Sequence, residues 1–203
     1  MIPIMTDLLA LHRRTMDTSV ALVDRIGPVQ LALPTPCEGW DLGRLLAHMT
    51  GQNHGFTAAA RGEAFDPADW ADRPVIGAPC AAFAASAEEV VAAFAEEGAA
   101  QRDWLLLVGP DRSMPVPGTR AMGFHFIDYV VHAWDVAVSI GEAPEFDEDV
   151  LEAVLPLAEQ VPLEGPTRSG PYAPFAPAVP LKEGEGLLER LLARLGRDPE
   201  WRP

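Results

Sequence analysis

The chain has 203 residues, of which 48% are hydrophobic and 22% are charged. This length and composition suit a single globular domain with a substantial core. Acidic residues outnumber basic ones by 30 to 15, which gives a formal net charge of −15. Nucleic-acid binding requires a basic surface, so this charge argues against a nucleic-acid partner.

Export and membrane insertion are also disfavoured. No apolar run approaches the roughly 18–20 residues that a bilayer span needs. The first residues, MIPIMTDLLALHRR, lack the basic start and apolar stretch of an export signal. The two cysteines, Cys37 and Cys80, form neither a disulfide framework nor a zinc-ribbon spacing. We therefore expect a cytoplasmic protein without a membrane partner.

Six segments carry helical signals, and start or stop residues separate them. Asp41 is a good N-cap for the second segment, and Gly141 is a suitable stop for the fourth. The six predicted helices cover about residues 7–26, 42–61, 81–104, 119–140, 148–160 and 186–195.

The connecting segments are rich in proline and glycine. Residues 63–78 are predicted to form a loop, and residues 110–118 break the helical pattern, with room for a short extended stretch. Residues 162–180 contain six prolines, which excludes a helix. Four long helices predict an all-α helix bundle with a wrapped C-terminal extension. We assign residues 1–160 to the bundle and residues 161–203 to a Pro-rich segment and short tail helix packed on the same domain.

A polar stripe on an otherwise apolar helix is the clearest functional signal. Four polar residues of GFHFIDYVVHAWDVAVSI follow spacings of three, four and three, which place them on one helical face. They are His125, Asp128, His132 and Asp135. The Cβ atoms of Asp128 and His132 should lie roughly 5–6 Å apart, close enough for one metal ion to bind both side chains. The alternative is a solvated helix face, but such faces carry Lys, Arg, Glu and Gln, which this stripe lacks.

A catalytic metal site needs a further protein ligand. His48 lies beside the apolar stripe of the second predicted helix and so points near the bundle interior, although a lone histidine there is more often a core residue. His54 is turned about 120° around that helix, and His12 stands beside two arginines, so we expect both to be exposed. Cys37 is another candidate, but it is better explained as a packed small hydrophobe.

Two segments of the chain carry a family resemblance. TPCEGWDLGRLLAHMTGQN, followed later by DYVVHAWDVA, resembles the metal-binding domain of mycothiol-dependent maleylpyruvate isomerases and the wider DinB-like family. The C-terminal part resembles an uncharacterised actinobacterial subgroup of that family. The resemblance implies a DinB-like four-helix bundle that holds a divalent metal, often zinc, through one histidine on the second helix and an acid-x-x-x-His on a later one.

Carried over to this chain, the implied ligands are His48, Asp128 and His132. The isomerases use Glu where this chain has Asp128, and nothing after residue 160 resembles their C-terminal domain. Three protein ligands leave an open position, which a thiol such as mycothiol or a water molecule can fill. We expect zinc, with nickel as the alternative.

Three further residues receive candidate roles. Asp135 could accept the second ring N–H of His132, or it could instead tether a neighbouring loop. His125 is assigned a substrate-facing acid–base role or a supporting role near the ligands. Arg168 is the only basic residue of the Pro-rich segment. It could bind a carboxylate of the substrate or the thiol, or be an ordinary surface arginine.

The favoured function is a metal-dependent thiol transferase or isomerase that acts on a small electrophilic molecule. The alternatives are a hydrolase or lyase that uses metal-activated water, and a non-catalytic metal-binding protein. All of these share the same ligands. The partners expected are a small-molecule substrate and a thiol, and the chain is expected to be a monomer or a homodimer.

Overall fold

The structure is a computed structural model, and it describes residues 5–74, 79–170, 173–182 and 184–203. Its α-helices are α1 (Met5–Val23), α2 (Leu42–Arg61), α3 (Pro79–Ala95), α4 (Gly118–Ser139), α5 (Glu148–Glu159) and α6 (Leu187–Arg194). Two strands, β1 (Asp103–Gly109) and β2 (Arg112–Pro117), pair in an antiparallel sheet. Among the described residues, no helix is both long and apolar enough to cross a membrane.

Helix α2 begins and ends where the sequence predicts. The Asp41 side chain accepts a hydrogen bond from the backbone N–H of Arg44, with N and O 2.8 Å apart, which satisfies one of the free N–H groups of the first turn. The helix ends at Gly62, whose φ of 73° places it in the left-handed region that glycine adopts without strain. Local capping therefore determines both bounds.

The hairpin departs from the all-α prediction. The helix predicted over residues 81–104 ends at Ala95, and residues 103–117 form the two strands instead. Their short apolar run, LLLV, is compatible with a strand or a helix, because four residues are too few for periodicity to decide. The two-residue turn that closes the hairpin contains Asp111, with a φ of 53°. The all-α class is thus wrong at this segment, and the fold is helix-rich with a small sheet.

Helix α4 lies at the centre of the molecule. Helices α1 and α2 each pack against α3 and α4, while α5 packs against α4 and α6. Two hydrophobic clusters meet at α4: one shared with α1, α2, α3 and the hairpin, the other with α5 and α6. Nearly every face of α4 is therefore covered, and its polar side chains need partners inside the protein.

The Pro-rich segment is irregular in its described part, as its prolines predict, while residues 171–172 lie outside the described residues. It runs back along α6, where the N–H of Val179 donates to the carbonyl of Ala193 at 2.9 Å. Leu191 and Leu192 of α6 are buried in the cluster shared with α4 and α5.

The segment that follows α2 folds back onto that helix. Residues 63–74 were predicted as loop and include a short 3₁₀ helix, Pro67–Trp70; residues 75–78 lie outside the described part. The N–H of Arg73 donates to the carbonyl of Ala47 at 2.9 Å. A Cβ atom added at Gly51 would lie 2.3 Å from the carbonyl oxygen of Ala71. Only glycine therefore allows this close approach, which brings Asp72 to the side chain of His48.

Substituting Gly51 with alanine is expected to destabilise the protein by about 1–3 kcal/mol, because the new methyl group collides with backbone that cannot move freely. The matched control is Gly123→Ala on α4, where the added Cβ meets only side-chain atoms of Leu157 at 3.5 Å. Urea unfolding of the two variants measures the difference. A Gly51→Ala protein as stable as Gly123→Ala would contradict the tight contact.

Candidate metal centre

The three predicted ligands come together where α2 and α4 meet. One donor atom each of His48, Asp128 and His132 lies within 4.8 Å of the other two. Nε2 of His132 is 3.4 Å from Oδ1 of Asp128, and the rings of His48 and His132 are nearly perpendicular with centroids 5.8 Å apart. The geometry is compatible with one shared ion, and metal binding itself stays a prediction.

The centre has a buried side and an open side. The side chain of His132 is 8% exposed, whereas those of His48 and Asp128 are 25% and 31% exposed. Solvent can therefore reach the cluster past His48 and Asp128, while His132 is anchored in the interior. An open side is what a catalytic metal site requires and a closed structural site lacks.

The ring of His48 is held from two directions. Its Nδ1 lies 3.3 Å from Oδ1 of Asp72, and the ring of Trp40 contacts it edge-on with centroids 4.9 Å apart. Burial, together with the charge of His132, lowers the pKa of His48 despite the opposite effects of Asp128 and Asp72. A neutral imidazole is the form that binds metals, and the contact with Asp72 leaves Nε2 as the available nitrogen.

His132 is held between two carboxylates. Its Nδ1 lies 2.9 Å from Oδ2 of Asp135, and its Nε2 faces Asp128. Burial lowers the pKa of His132, but the charge of Asp128 and the hydrogen bond to Asp135 outweigh it and raise the pKa well above its ordinary value. The same negative surroundings favour a metal cation at Nε2. Asp135 thus occupies the position predicted for the partner of the second ring nitrogen.

Asp135 in turn is paired with a residue that the sequence did not reveal. Nε of Arg197 lies 2.9 Å from Oδ1 of Asp135, and Nη2 lies 3.0 Å from Oδ2. The Asp135 side chain is fully buried and that of Arg197 is 12% exposed. Burial raises the pKa of Asp135, but the charge of Arg197 and the hydrogen bond from His132 lower it below its ordinary value. The carboxylate is therefore ionised and held by Arg197 and His132.

Cys37 completes this buried group without forming a second metal site. Its Sγ donates to Oδ2 of Asp135 at 3.3 Å and accepts from Nη2 of Arg197 at 3.2 Å. Cys37, His132 and Asp135 have donor atoms close enough together for an ion. The guanidinium of Arg197 already supplies the positive charge there, however, and a divalent cation beside it would be repelled.

A general signal indicates that Asp135 has a partner, but it does not identify Arg197. Asp135 stands between Trp134 and Val136 on an apolar helix, and a buried carboxylate needs a cationic or hydrogen-bonding partner. The chain has 14 arginines besides its single lysine, Lys182. Nothing in the linear order selects Arg197 among them.

The structure does not bring His125 to this centre. Its side chain is fully buried, its Nδ1 lies 2.9 Å from Nε2 of His12, and its ring stacks on Tyr129 with centroids 4.2 Å apart. The substrate-facing role is therefore wrong, because no solvent or substrate reaches this ring. The expectation that His12 is exposed is also wrong, since only 1% of it is accessible. His54, on the other hand, is about one-third exposed.

The two buried histidines belong to a directional hydrogen-bond chain. Ser86 donates to the carbonyl of Phe83, and it accepts from Nδ2 of Asn53 at 2.9 Å. Oδ1 of Asn53 then accepts from Nε2–H of His125 at 3.2 Å, and Nδ1 of His125 accepts from His12. Both rings are neutral. Burial, with the charge of Arg13, lowers the pKa of His12 to about 3, and burial lowers the pKa of His125 well below its ordinary value.

The stability of the protein should depend on pH through this pair. A histidine whose pKa is lower in the folded state contributes stability that is complete above pH 6.5 and lost as the pH falls, because only the unfolded chain takes up the proton. Between pH 7 and pH 5 the expected loss is about 2 kcal/mol per histidine. The His12→Gln variant should show a pH dependence weaker than wild type by that amount in urea unfolding, and His54→Gln a smaller change. An unchanged dependence in His12→Gln would contradict the neutral pair.

Arg168 is neither a surface residue nor free to bind a ligand. It is 6% exposed, and its Nε, Nη1 and Nη2 each donate to a backbone carbonyl at 2.8 Å. The acceptors are Pro162, Ala176 and Arg194. The cofactor-binding role is thus wrong, because the guanidinium is used to tie the Pro-rich segment to the end of α6, where a cation also complements the helix dipole.

Comparisons with known proteins give the family. The model of the mycothiol maleylpyruvate isomerase N-terminal domain matches residues 12–137, a range that contains all three predicted ligands and excludes Arg197. Uncharacterised proteins from two strains of Mycobacterium tuberculosis are each 34% identical over 193 residues, which is 94% of this chain and 98% of theirs.

Solved structures agree on the fold. The mycothiol-dependent maleylpyruvate isomerase and a single-site mutant of it superpose with TM-scores of 0.57 and 0.59 at 16% identity, over 77% of this chain and 68% of theirs. The family resemblance inferred from the two sequence segments is confirmed: this chain belongs to the mycothiol maleylpyruvate isomerase N-terminal domain family.

Proposed function

We propose that His48, Asp128 and His132 bind a divalent metal ion, with zinc as the first choice and nickel as the alternative. The observation that carries this proposal is the convergence of three donor atoms within 4.8 Å. Two imidazoles and one carboxylate form a donor set that catalytic zinc sites use. The proposal includes the family's four-helix bundle, formed by α1 to α4, as the scaffold of the centre.

We further propose that the centre acts on a low-molecular-weight thiol of the mycothiol type. A bound divalent ion would lower the pKa of a thiol and hold it as the nucleophilic thiolate at neutral pH. The family and its structural neighbours, which are described as mycothiol-dependent, support a thiol over water as the molecule bound. The reaction class is thiol transfer onto a small electrophile, or thiol-assisted isomerisation of one.

The chain's own residues supply charge, orientation and access. Two neutral imidazoles and one carboxylate would leave a divalent ion with a net charge of about +1, enough to attract a thiolate. Asp72 and Asp135 hold the two rings from behind. The partly exposed Asp128 and His48 border the open side, where thiol and electrophile can meet.

The C-terminal part is proposed to belong to the same domain. Residues 161–203 would then be a component of the centre rather than an appendage to residues 1–160. Helix α6 packs on α5, and Arg197 contacts Asp135 on α4, which supports this organisation.

The thiol proposal is tested with a cobalt-substituted protein, since zinc has no visible spectrum. Titration with mycothiol or a short thiol analogue should produce a sulfur-to-cobalt charge-transfer band in the near ultraviolet that grows and saturates. The His48→Ala variant should lose this band. His54→Ala, which removes a partly exposed histidine of the same helix, should keep it. A spectrum unchanged at saturating thiol would contradict thiol chemistry and favour a hydrolase that activates water.

A further inference from the structure

We infer that Arg197 is a positioning residue of the metal centre: it fixes the carboxylate of Asp135, which fixes the ring of His132. The inference rests on the proposed function, because the ring matters as a metal ligand. It assigns to the C-terminal tail, outside the residues matched by the family model, a part in the chemistry of the centre.

The contact between Arg197 and Asp135 determines the orientation of the carboxylate. Two guanidinium nitrogens approach its two oxygens at 2.9 and 3.0 Å. A two-point contact of this kind fixes the plane of the carboxylate as well as its position. Oδ2 is thereby directed at Nδ1 of His132 at 2.9 Å, and Cys37 contacts the same oxygen from another side.

The orientation of the Asp135 carboxylate in turn determines where the metal-binding nitrogen of His132 points. Because Nδ1 of His132 is held by Asp135, the ring cannot exchange its two nitrogens, and Nε2 stays on the side of Asp128. Without Arg197, the buried carboxylate would lose both of its guanidinium contacts and keep only the ring of His132 and the thiol of Cys37 as partners. A partner that orients a metal-binding histidine typically affects metal affinity by about 10- to 100-fold.

The C-terminal tail holds the backbone of Arg197 in a position from which its side chain reaches Asp135. Gly196, two residues after the end of α6, has a φ of 81° and so lies in the left-handed region. A Cβ atom added there would lie 2.6 Å from the carbonyl oxygen of Ala176. Arg168 donates to that same carbonyl and to the carbonyl of Arg194, and the N–H of Arg197 donates to the carbonyl of Leu192 at 2.8 Å. The Pro-rich segment and α6 thus hold the backbone from which Arg197 reaches α4.

The test compares Arg197→Met with a matched control, Arg194→Met. Arg194 also ties the tail down, through the carbonyls of Glu159 and Val161, but it has no contact with Asp135 among the described residues. Zinc affinity is measured by competition with a chromophoric chelator. We expect Arg197→Met to weaken binding by about 10- to 100-fold, Arg194→Met to change it by less than about threefold, and Arg197→Lys to restore part of the loss.

A second measurement needs no metal. In the chelated protein, proton NMR should show a protected, downfield Nδ1–H signal of His132, because this proton donates to a buried carboxylate. Arg197→Met should lose or broaden the signal, and Arg194→Met should keep it. If wild type takes up no zinc but Arg197→Met still loses the signal, the proposed function fails while the positioning contact stands. An unchanged signal and affinity in Arg197→Met would overturn the inference.

A double-mutant comparison distinguishes an effect of Arg197 that acts through Asp135 from a general loss of packing. If Arg197 acts through Asp135, adding Arg197→Met to Asp135→Asn should weaken zinc binding no further than Asp135→Asn alone. Independent, additive losses would overturn the inference, as would an equal loss in Arg194→Met. If Arg197→Met does not fold, Arg197→Lys and Asp135→Asn provide the same comparison, and wild-type affinity in both would equally overturn it.

Discussion

Replacing His132 with alanine is expected to reduce the bound metal from a near-stoichiometric amount to a small fraction of it. His132 is the most buried of the three donors, and its Nε2 is the atom directed at Asp128. Losing a direct ligand should cost more than the roughly 10- to 100-fold caused by losing a residue that supports one. Elemental analysis of the purified proteins measures the change.

The control for this experiment is His54→Ala. His54 lies on α2 like His48, but its Nδ1 is 3.6 Å from Glu89 and it does not belong to the centre. It should therefore retain the metal content of wild type. Equal metal in the wild type and in His132→Ala would show that no ion is bound at these three residues.

Substitution of Asp135 with alanine is expected to destabilise the metal-free protein by about 3–5 kcal/mol, because it leaves one charge of a buried ion pair uncompensated. Asp135 is fully buried, and its removal leaves Arg197, whose side chain is 12% exposed, without its carboxylate partner. Asp128→Ala on the same helix should cost little stability, because that carboxylate is 31% exposed and its ion pair with His132, at 3.4 Å, is not fully buried.

The two aspartates should therefore separate stability from metal binding. After chelation, Asp128→Ala should be as stable as wild type, although it should have lost most of its zinc affinity. Asp135→Ala, in contrast, should be less stable than wild type even without metal. Urea unfolding after chelation gives the first quantity and zinc competition the second. We expect the chelated wild type to remain folded, since its hydrophobic core is large enough to stabilise the fold without a bound metal. Similar stabilities for the two variants would contradict the buried pair.

Local signals in the sequence were sufficient for most of the helices. The Asp41 cap and Gly62 determine α2, and both act within one or two turns of the chain. The hairpin was missed because a short run such as LLLV contains no period that separates strand from helix. Only its pairing with residues 112–117 selects the strand.

The candidate ligands could be proposed from the sequence because spacing on a helix is a local property. Asp128 and His132 are neighbours on α4 whatever surrounds the helix, and the family resemblance added His48. Which distant residue each of these side chains contacts in the folded protein is not a local property. His125 shares the stripe with His132, yet it meets His12 and Asn53 in the core.

By itself, then, the sequence determined most of the helices, the polar stripe and the family. The tertiary structure alone decided which polar residues are partners. Arg168 binds backbone carbonyls rather than a ligand, and Arg197 reaches Asp135 across 62 positions of the chain. The physical reason is that capping and periodicity act over a few residues. The pairing of buried charges, in contrast, depends on which distant segments the folded core brings into contact.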